Sequence, residues 1–204
     1  MVGKALDMNA STARYPRTLT CGDTPVEIRR MAPDRGAEVQ AFVRTLPDHD
    51  LLFLRRDIGE PKVVEAWMGG IREGRVQSLA AYLDGVLVGC TAIVVENLSW
   101  SRHVGELRVL VGPSAKGKGL GRVLIQECFV QALELGLTKL CAQMTVDQTS
   151  AIGVFEELGF RAEAVLQKHV KDRHGRFHDL ALLSHDIEAA HSMLEAYGIA
   201  SAWV

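Results

Sequence analysis

The tightest constraint on this chain is the stretch Glu106 to Gly136, ELRVLVGPSAKGKGLGRVLIQECFVQALELG. It reads as a strand, a short turn rich in glycine and lysine, and an amphipathic helix. Four of the six residues of Glu106–Val111 are aliphatic, and Gly112-Pro113 ends regular strand pairing. The helix carries Leu120, Val123, Leu124, Cys128 and Ala132 at spacings of three and four and stops at Gly136. A glycine-rich turn that opens a helix leaves backbone N–H groups unpaired at the positive end of the helix dipole. Such a turn seats phosphate, and Lys116, Lys118 and Arg122 add positive charge around it. A P-loop is excluded, because Gly121 is followed by Arg-Val and lacks the magnesium-binding hydroxyl. The dinucleotide fingerprint is excluded too, because Gly117, Gly119 and Gly121 are spaced two and two.

Lys116-Gly117-Lys118-Gly119-Leu120-Gly121 resembles the acetyl-CoA motif [QR]-x-x-G-x-[GA] of the GNAT superfamily of N-acetyltransferases, with lysine at the first position. Val146 to Phe160, VDQTSAIGVFEELGF, is similar to the family's second signature, a strand end and a short helix closing in Leu-Gly-Phe. A hairpin with Gly175 at its turn and Asp179 in its return strand follows. The resemblance covers Val26 to about His185. It implies a mixed α/β (α+β) fold, a mainly antiparallel sheet flanked by helices.

The residue patterns agree. Leu79–Leu83 and Val86–Val95 flank Asp84-Gly85, a two-residue hairpin signal, and Glu106–Val111 is expected beside them as the central strand. Val26–Arg30 and Thr138–Met144 read as further strands, and Ala162–Val170 with His178–His185 as the last hairpin. Helices are expected from Pro33-Asp34 to Pro47, over Pro61–Arg72, over Ala151–Leu158 with Thr149 or Ser150 as cap, and over Asp186–Tyr197. Residues 1–24 show no period and read as a flexible N-terminal arm; 25–204 read as one acetyltransferase domain.

Composition bounds the partners. A net charge of −2 gives no basis for nucleic acid or an anionic membrane. The longest apolar run, Val86–Val95, is too short to span a bilayer, and no secretory signal is visible. Four cysteines without ligand spacing read as reduced thiols in a cytoplasmic protein. His174 and His178 flank a hairpin glycine rather than sharing a helix face, so no metal site is expected.

The resemblance implies acetyl transfer from acetyl-CoA, as cosubstrate, to an amine acceptor. The amides of Gly117, Lys118, Gly119, Leu120, Gly121 and Arg122 would hold the diphosphate, with Lys116 beside them. In the family a bulge splays the central strand from its neighbour and frees backbone groups for the pantetheine arm; here these would belong to Val109, Leu110 and Val111. An N–H near Leu110 or Val111 would polarise the carbonyl. A lysine-like amine with a pKa of about 10.4 costs roughly 4.6 kcal/mol to deprotonate at neutral pH, which calls for a base. Glu106, at the start of the central strand, is the first candidate and His103 the second. Phe155 stands where many members carry a proton-donating tyrosine, and Gln148 where they carry asparagine. A thiol with a pKa near 8.5 leaves without a dedicated acid, so Phe155 lowers the expected acid role and leaves the cofactor reading intact. A sensing module that binds acyl-CoA without catalysis is the alternative. Asp48–Asp57 and Pro61–Arg72 would wall the acceptor site, and many family members are homodimers.

Overall fold

The computed structural model describes residues 14–54 and 56–188. In chain order the elements are β1 (Arg17–Cys21), β2 (Thr24–Arg30), α1 (Gly36–Val43), a 3-10 turn (Asp48–Leu51) and α2 (Pro61–Arg72). Then come β3 (Val76–Gln77), β4 (Leu79–Leu83), β5 (Val86–Val95), β6 (Val104–Val111), a second 3-10 turn (Pro113–Ala115) and α3 (Leu120–Glu134). The last are β7 (Lys139–Thr145), α4 (Thr149–Glu157), β8 (Arg161–Lys171) and β9 (Phe177–Asp186). The strands form one sheet in the order β1-β2-β4-β5-β6-β7-β9-β8, with β3 paired to β5. Every pairing is antiparallel except β6 with β7. The expected mixed α/β fold is therefore present.

Local chemistry explains the boundaries. Asp84 and Gly85 both take positive φ, 50° and 78°, as a tight hairpin turn requires. Helices α1 and α2 pack on one face of the sheet, where Val39, Phe42, Val64 and Met68 meet Ala80, Tyr82, Cys90 and Leu110. Helices α3 and α4 cover the other, where Ile125, Phe129, Phe155 and Phe160 meet Leu107, Leu140, Ala142 and Leu183. Leu120 and Leu124, 1% and 0% exposed, anchor the start of α3 against β4 and β5. Each buried leucine of this kind contributes about 1.5–3 kcal/mol, so the glycine turn before α3 is held from behind.

Two expectations need correction. The arm expected over 1–24 is in part a strand: Arg17–Cys21 pairs with Thr24–Ile28. Two interactions hold it, Leu19 and Cys21 packing inward and Glu127 of α3 taking Arg14, Tyr15 and Arg17. Residues 1–13 lie outside the described residues. Helix α4 starts two residues earlier than expected, with Gln148 at its N-cap, so Thr149 and Ser150 are inside the helix. Past Glu188, the terminal helix expected over Asp186–Tyr197 also lies outside the described residues. Cys21, Cys90 and Cys128 are buried free thiols and Cys141 is half-buried. Among the described residues no helix is long and apolar enough to cross a membrane.

Candidate active site

Among the described residues, strands β6 and β7 are the only parallel pair, and their ladder is short. It holds Val104 to Lys139, Gly105 to Leu140 and Glu106 to Cys141, and then the strands part. No bulge on β6 causes this: its register with β5 runs unbroken from Val111 opposite Gly89 to Gly105 opposite Val95. The irregularity lies instead between β4 and β5, at Ala81/Tyr82. The amide of Gly112 donates to Val88 O at 2.7 Å, in line with that register. By alternation Arg108 and Leu110 bond towards β5, while the N–H and C=O of Val109 and Val111 point into the parting. The backbone groups of Leu110 are thus turned towards β5, and its side chain packs with those of α1 and α2.

Two clefts meet there. One, about 730 Å³, lies on the α3–α4 side, between Val109 and Val111 on β6, Met144 on β7 and Phe155 on α4. Its floor is the turn from Lys116 to Arg122. The N–H groups of residues 117–122 donate to no backbone carbonyl among the described residues. Gly117 and Gly119 take φ of 74° and 83°, the left-handed conformation that turns these amides outward. Lys116 pairs with Asp50 and Arg122 with Glu157, both at the surface. Exposed pairs of this sort contribute about 0–1 kcal/mol, so a phosphate can replace either carboxylate at little cost.

The second cleft, about 770 Å³, lies on the α2 side and is lined by Trp67, Glu106, Arg108 and Cys141 among others. Leu110, Ala142 and Gln143 line both clefts, so the parting between β6 and β7 connects them. Side-chain alternation on β6 sends Glu106 and Arg108 into this cleft and Leu107, Val109 and Val111 into the other. Arg108 Nε and Nη2 both lie 2.9 Å from Glu106 Oε1, which orients the carboxylate.

The segment entering from α1 straps the first of these clefts. Gln148 Nε2 donates to His49 O at 3.2 Å, and its Oε1 accepts from Thr145 N at 3.3 Å. Arg173, in the β8–β9 turn, reaches both Asp48 and Asp57 at 2.9 Å. The same turn is organised by Asp172, which accepts from His174 N, Arg176 N and Arg176 Nε, each at 2.9 Å, and meets His178 Nε2 at 3.0 Å. The His178 hydrogen bond, with those from Arg176 and His174, holds the Asp172 carboxyl well below the usual carboxylate range.

Of the residues picked from sequence, Lys116, Gly117, Gly119, Leu120, Gly121 and Arg122 share the first cleft with Val109, Leu110, Val111, Gln148 and Phe155. Lys118 is exposed on the same turn. Phe155 is buried, its ring against Phe160 with centroids 4.8 Å apart. Glu106 is across the sheet from this group, in the second cleft. His103 is exposed, lines neither cleft, and uses its carbonyl to accept from Thr138 N and Lys139 N. Sequence reasoning missed Arg108 and Gln143, and it set His49, Asp50 and Phe53, within Asp48–Asp57, on the acceptor wall, whereas they line the cleft of the glycine turn. Arg108 was open to discovery as the inward neighbour two residues after Glu106, whereas nothing in one chain places the strap against β7.

Residues 42–160 match the Acetyltransferase (GNAT) family. Over 86 residues the chain is 31% identical to an IAA acetyltransferase of Azospirillum brasilense, covering 42% of this chain and 54% of that protein. The chain thus spans about half the length of the curated relative it matches. Its fold is similar to that of a GNAT-family acetyltransferase from Streptococcus pneumoniae, with TM-score 0.69 and 22% identity over 79% of this chain and 99% of that one. It is also similar to a phosphinothricin acetyltransferase from Sinorhizobium meliloti in complex with acetyl-CoA (TM-score 0.68, 19% identity, 79% and 88% covered). A spermidine N-acetyltransferase from Vibrio cholerae in complex with CoA and spermine gives TM-score 0.66 at 17% identity, with 79% and 95% covered.

Proposed function

Since this chain belongs to the acetyltransferase (GNAT) family, we propose that it moves an acetyl group from acetyl-CoA to a primary amine by direct attack in a ternary complex. The observation that carries this reading is the junction at Leu110, Ala142 and Gln143, where a phosphate-seating cleft opens into one holding a carboxylate. The turn amides of residues 117–122 hold the diphosphate, and the backbone of Val109 and Val111 lines the path of the pantetheine arm. The thioester then lies in the parting, reachable from the other cleft.

The amine enters from the α2 side and loses a proton to Glu106, directly or through a water. Its lone pair attacks the thioester carbon, the new C–N bond forms, and the C–S bond breaks. The N–H of Val111, which faces away from β5, would polarise the carbonyl as charge develops on oxygen. Phe155 has no proton to give, so the sulfur departs as thiolate and is protonated from solvent or from the ammonium formed by attack. Phe155 also supports a second reading, a module that binds acyl-CoA and does not turn it over.

Free-thiol release from acetyl-CoA over a panel of amino acids, polyamines, aminoglycosides and peptides, beside calorimetric titration of acetyl-CoA, separates the two. Release with one amine class supports transfer. Tight binding with no release on any amine supports the module, and no binding overturns both.

A further inference from the structure

Three separated parts of the chain converge at the rim of the cofactor-side cleft: the Asp48–Leu51 turn, the corner between β7 and α4, and the start of β9. There His49, Asp147 and His178 each bring one ligand atom within 4.8 Å of the others. His49 Nε2 lies 3.3 Å from Asp147 Oδ1, and His178 Nδ1 lies 3.8 Å from Asp147 Oδ2. The two imidazoles meet edge to face, with centroids 5.5 Å apart.

The tautomer of His178 follows from its other nitrogen. Asp172, whose side chain is 8% exposed, already accepts three hydrogen bonds from the turn and sits 3.0 Å from His178 Nε2. A carboxylate accepts only, so Nε2 carries a proton, and in the neutral ring Nδ1 turns its lone pair towards Asp147. Between that lone pair and the carboxylate there is a place for a cation, a second ring proton or a metal ion. At 3.8 Å the two are too far apart for a direct hydrogen bond, but within reach of one shared ion. Ligands at about 2.0–2.1 Å from a tetrahedral centre stand roughly 3.3–3.4 Å from one another; His49 and Asp147 already have this spacing, and His178 stands wider and has to move in by a fraction of an ångström or more. A carboxylate behind the imidazole is also the usual support of a metal-bound histidine.

We propose that His49 Nε2, His178 Nδ1 and an Asp147 carboxylate oxygen form a site for one divalent transition-metal ion of the zinc class. Two imidazoles with one carboxylate suit such an ion, whereas magnesium and calcium take oxygen ligands throughout. Three protein ligands leave the fourth position to water. Because His49 belongs to the strap and Asp147 to the β7 side, the ion would clip the strap across the cleft that both residues line. Asp172 is a positioning residue, holding His178 in the ligating tautomer. The site stands independently of acetyl transfer.

The test uses the full chain, stripped with chelator and titrated with Zn²⁺ alone by calorimetry, with bound zinc counted by mass spectrometry after dialysis. The expected result is one Zn²⁺ per chain. His49→Ala, Asp147→Asn and His178→Ala should each weaken binding at least about tenfold, and Asp172→Asn by about 10–100-fold. His169→Ala, an exposed histidine elsewhere, should bind as the parent does. Circular dichroism checks each fold. Should His178→Ala not fold, His49→Ala, on a surface turn, carries the test. Failure of the parent chain to bind Zn²⁺ at one per chain overturns the proposal, as does parental affinity in His49→Ala.

Discussion

Glu106 and Cys141 form the last rung of the parallel ladder between β6 and β7, so the carboxylate stands where the two strands begin to part. The thioester end of a bound acetyl-CoA would come to this point from one side and an amine from the other. Glu106→Gln keeps the shape and removes the base. General-base contributions of about 10²–10⁴-fold set the expected fall in kcat. Acetyl-CoA affinity should hold within about twofold, because Glu106 does not line the cleft floored by the glycine turn. Steady-state thiol release beside calorimetry checks both halves. Unchanged turnover would remove Glu106 from the mechanism, and His103→Ala would be measured next.

The glycine turn makes a second prediction. Gly119 precedes α3 with φ of 83°, and a Cβ there would meet nothing within 4 Å. The cost of Gly119→Ala is therefore backbone strain, about 1–2 kcal/mol. Relieving that strain swings the amides of residues 117–122 off their common target. Acetyl-CoA binding should weaken by about tenfold, the equivalent of roughly 1.4 kcal/mol. Gly136, at the other end of α3, has φ of 67° and equal space around it. Gly136→Ala should lower the melting temperature similarly and leave acetyl-CoA affinity alone. Equal loss of affinity in both variants would mean that helix stability, not amide direction, governs binding.

Much of this was legible because period-two and period-3.6 patterns are local. The Asp84-Gly85 hairpin and α2 fall where the sequence places them, and the Lys116–Gly121 turn announces its own chemistry. Strand β1 was not legible: its support is long-range, chiefly the Glu127 carboxylate of α3. The apposition of His49 with His178 depends on loops brought together by the sheet, and spacing along the chain carries no trace of it. The family pattern suggested a bulge in the central strand, whereas β6 keeps a regular register with β5 and simply ends its pairing with β7.

Glu127 supplies a third test. It is buried in α3 and accepts from Tyr15 Oη at 2.7 Å and Arg14 Nε at 3.2 Å, with Arg17 Nη1 at 3.3 Å. Tyr15→Phe removes one hydrogen bond to a buried charge, a loss of about 1.5–3 kcal/mol. For a chain of this size each kcal/mol lowers Tm by about 2–4 °C. Burial first, then the Glu127 hydrogen bond, pushes the Tyr15 phenol above its ordinary range. The folded state then keeps a proton that the unfolded chain releases near pH 10. The parent should therefore lose stability as pH rises above about 10, and Tyr15→Phe should lose less. Denaturant midpoints at pH 8 and above 10 measure the difference; parallel losses would place the effect in other groups.

His185 gives the opposite sign at the acid side. Its ring lies 4.7 Å from that of Phe129 and 5.4 Å from that of Phe160, and its Nδ1 is buried without a hydrogen-bond partner. Burial holds its pKa below the ordinary histidine value, against an opposing pull from Asp186 and a small assisting push from Arg161. As pH falls through about 6.5, the unfolded chain takes up a proton there that the folded chain refuses. Stability from this group is complete above that pH and declines below it, by at most about 1.4 kcal/mol per pH unit, until the folded imidazole also titrates. His185→Leu removes the titration while keeping the apolar contact. Urea midpoints between pH 7 and 5 should slope less steeply in the variant than in the parent. Asp147 and Asp172, both held below the usual carboxylate range, lose their contributions only at lower pH and do not enter this window. Equal slopes would mean that His185 is protonated as readily in the folded chain as in the unfolded one, and that water reaches the space between the two phenyl rings.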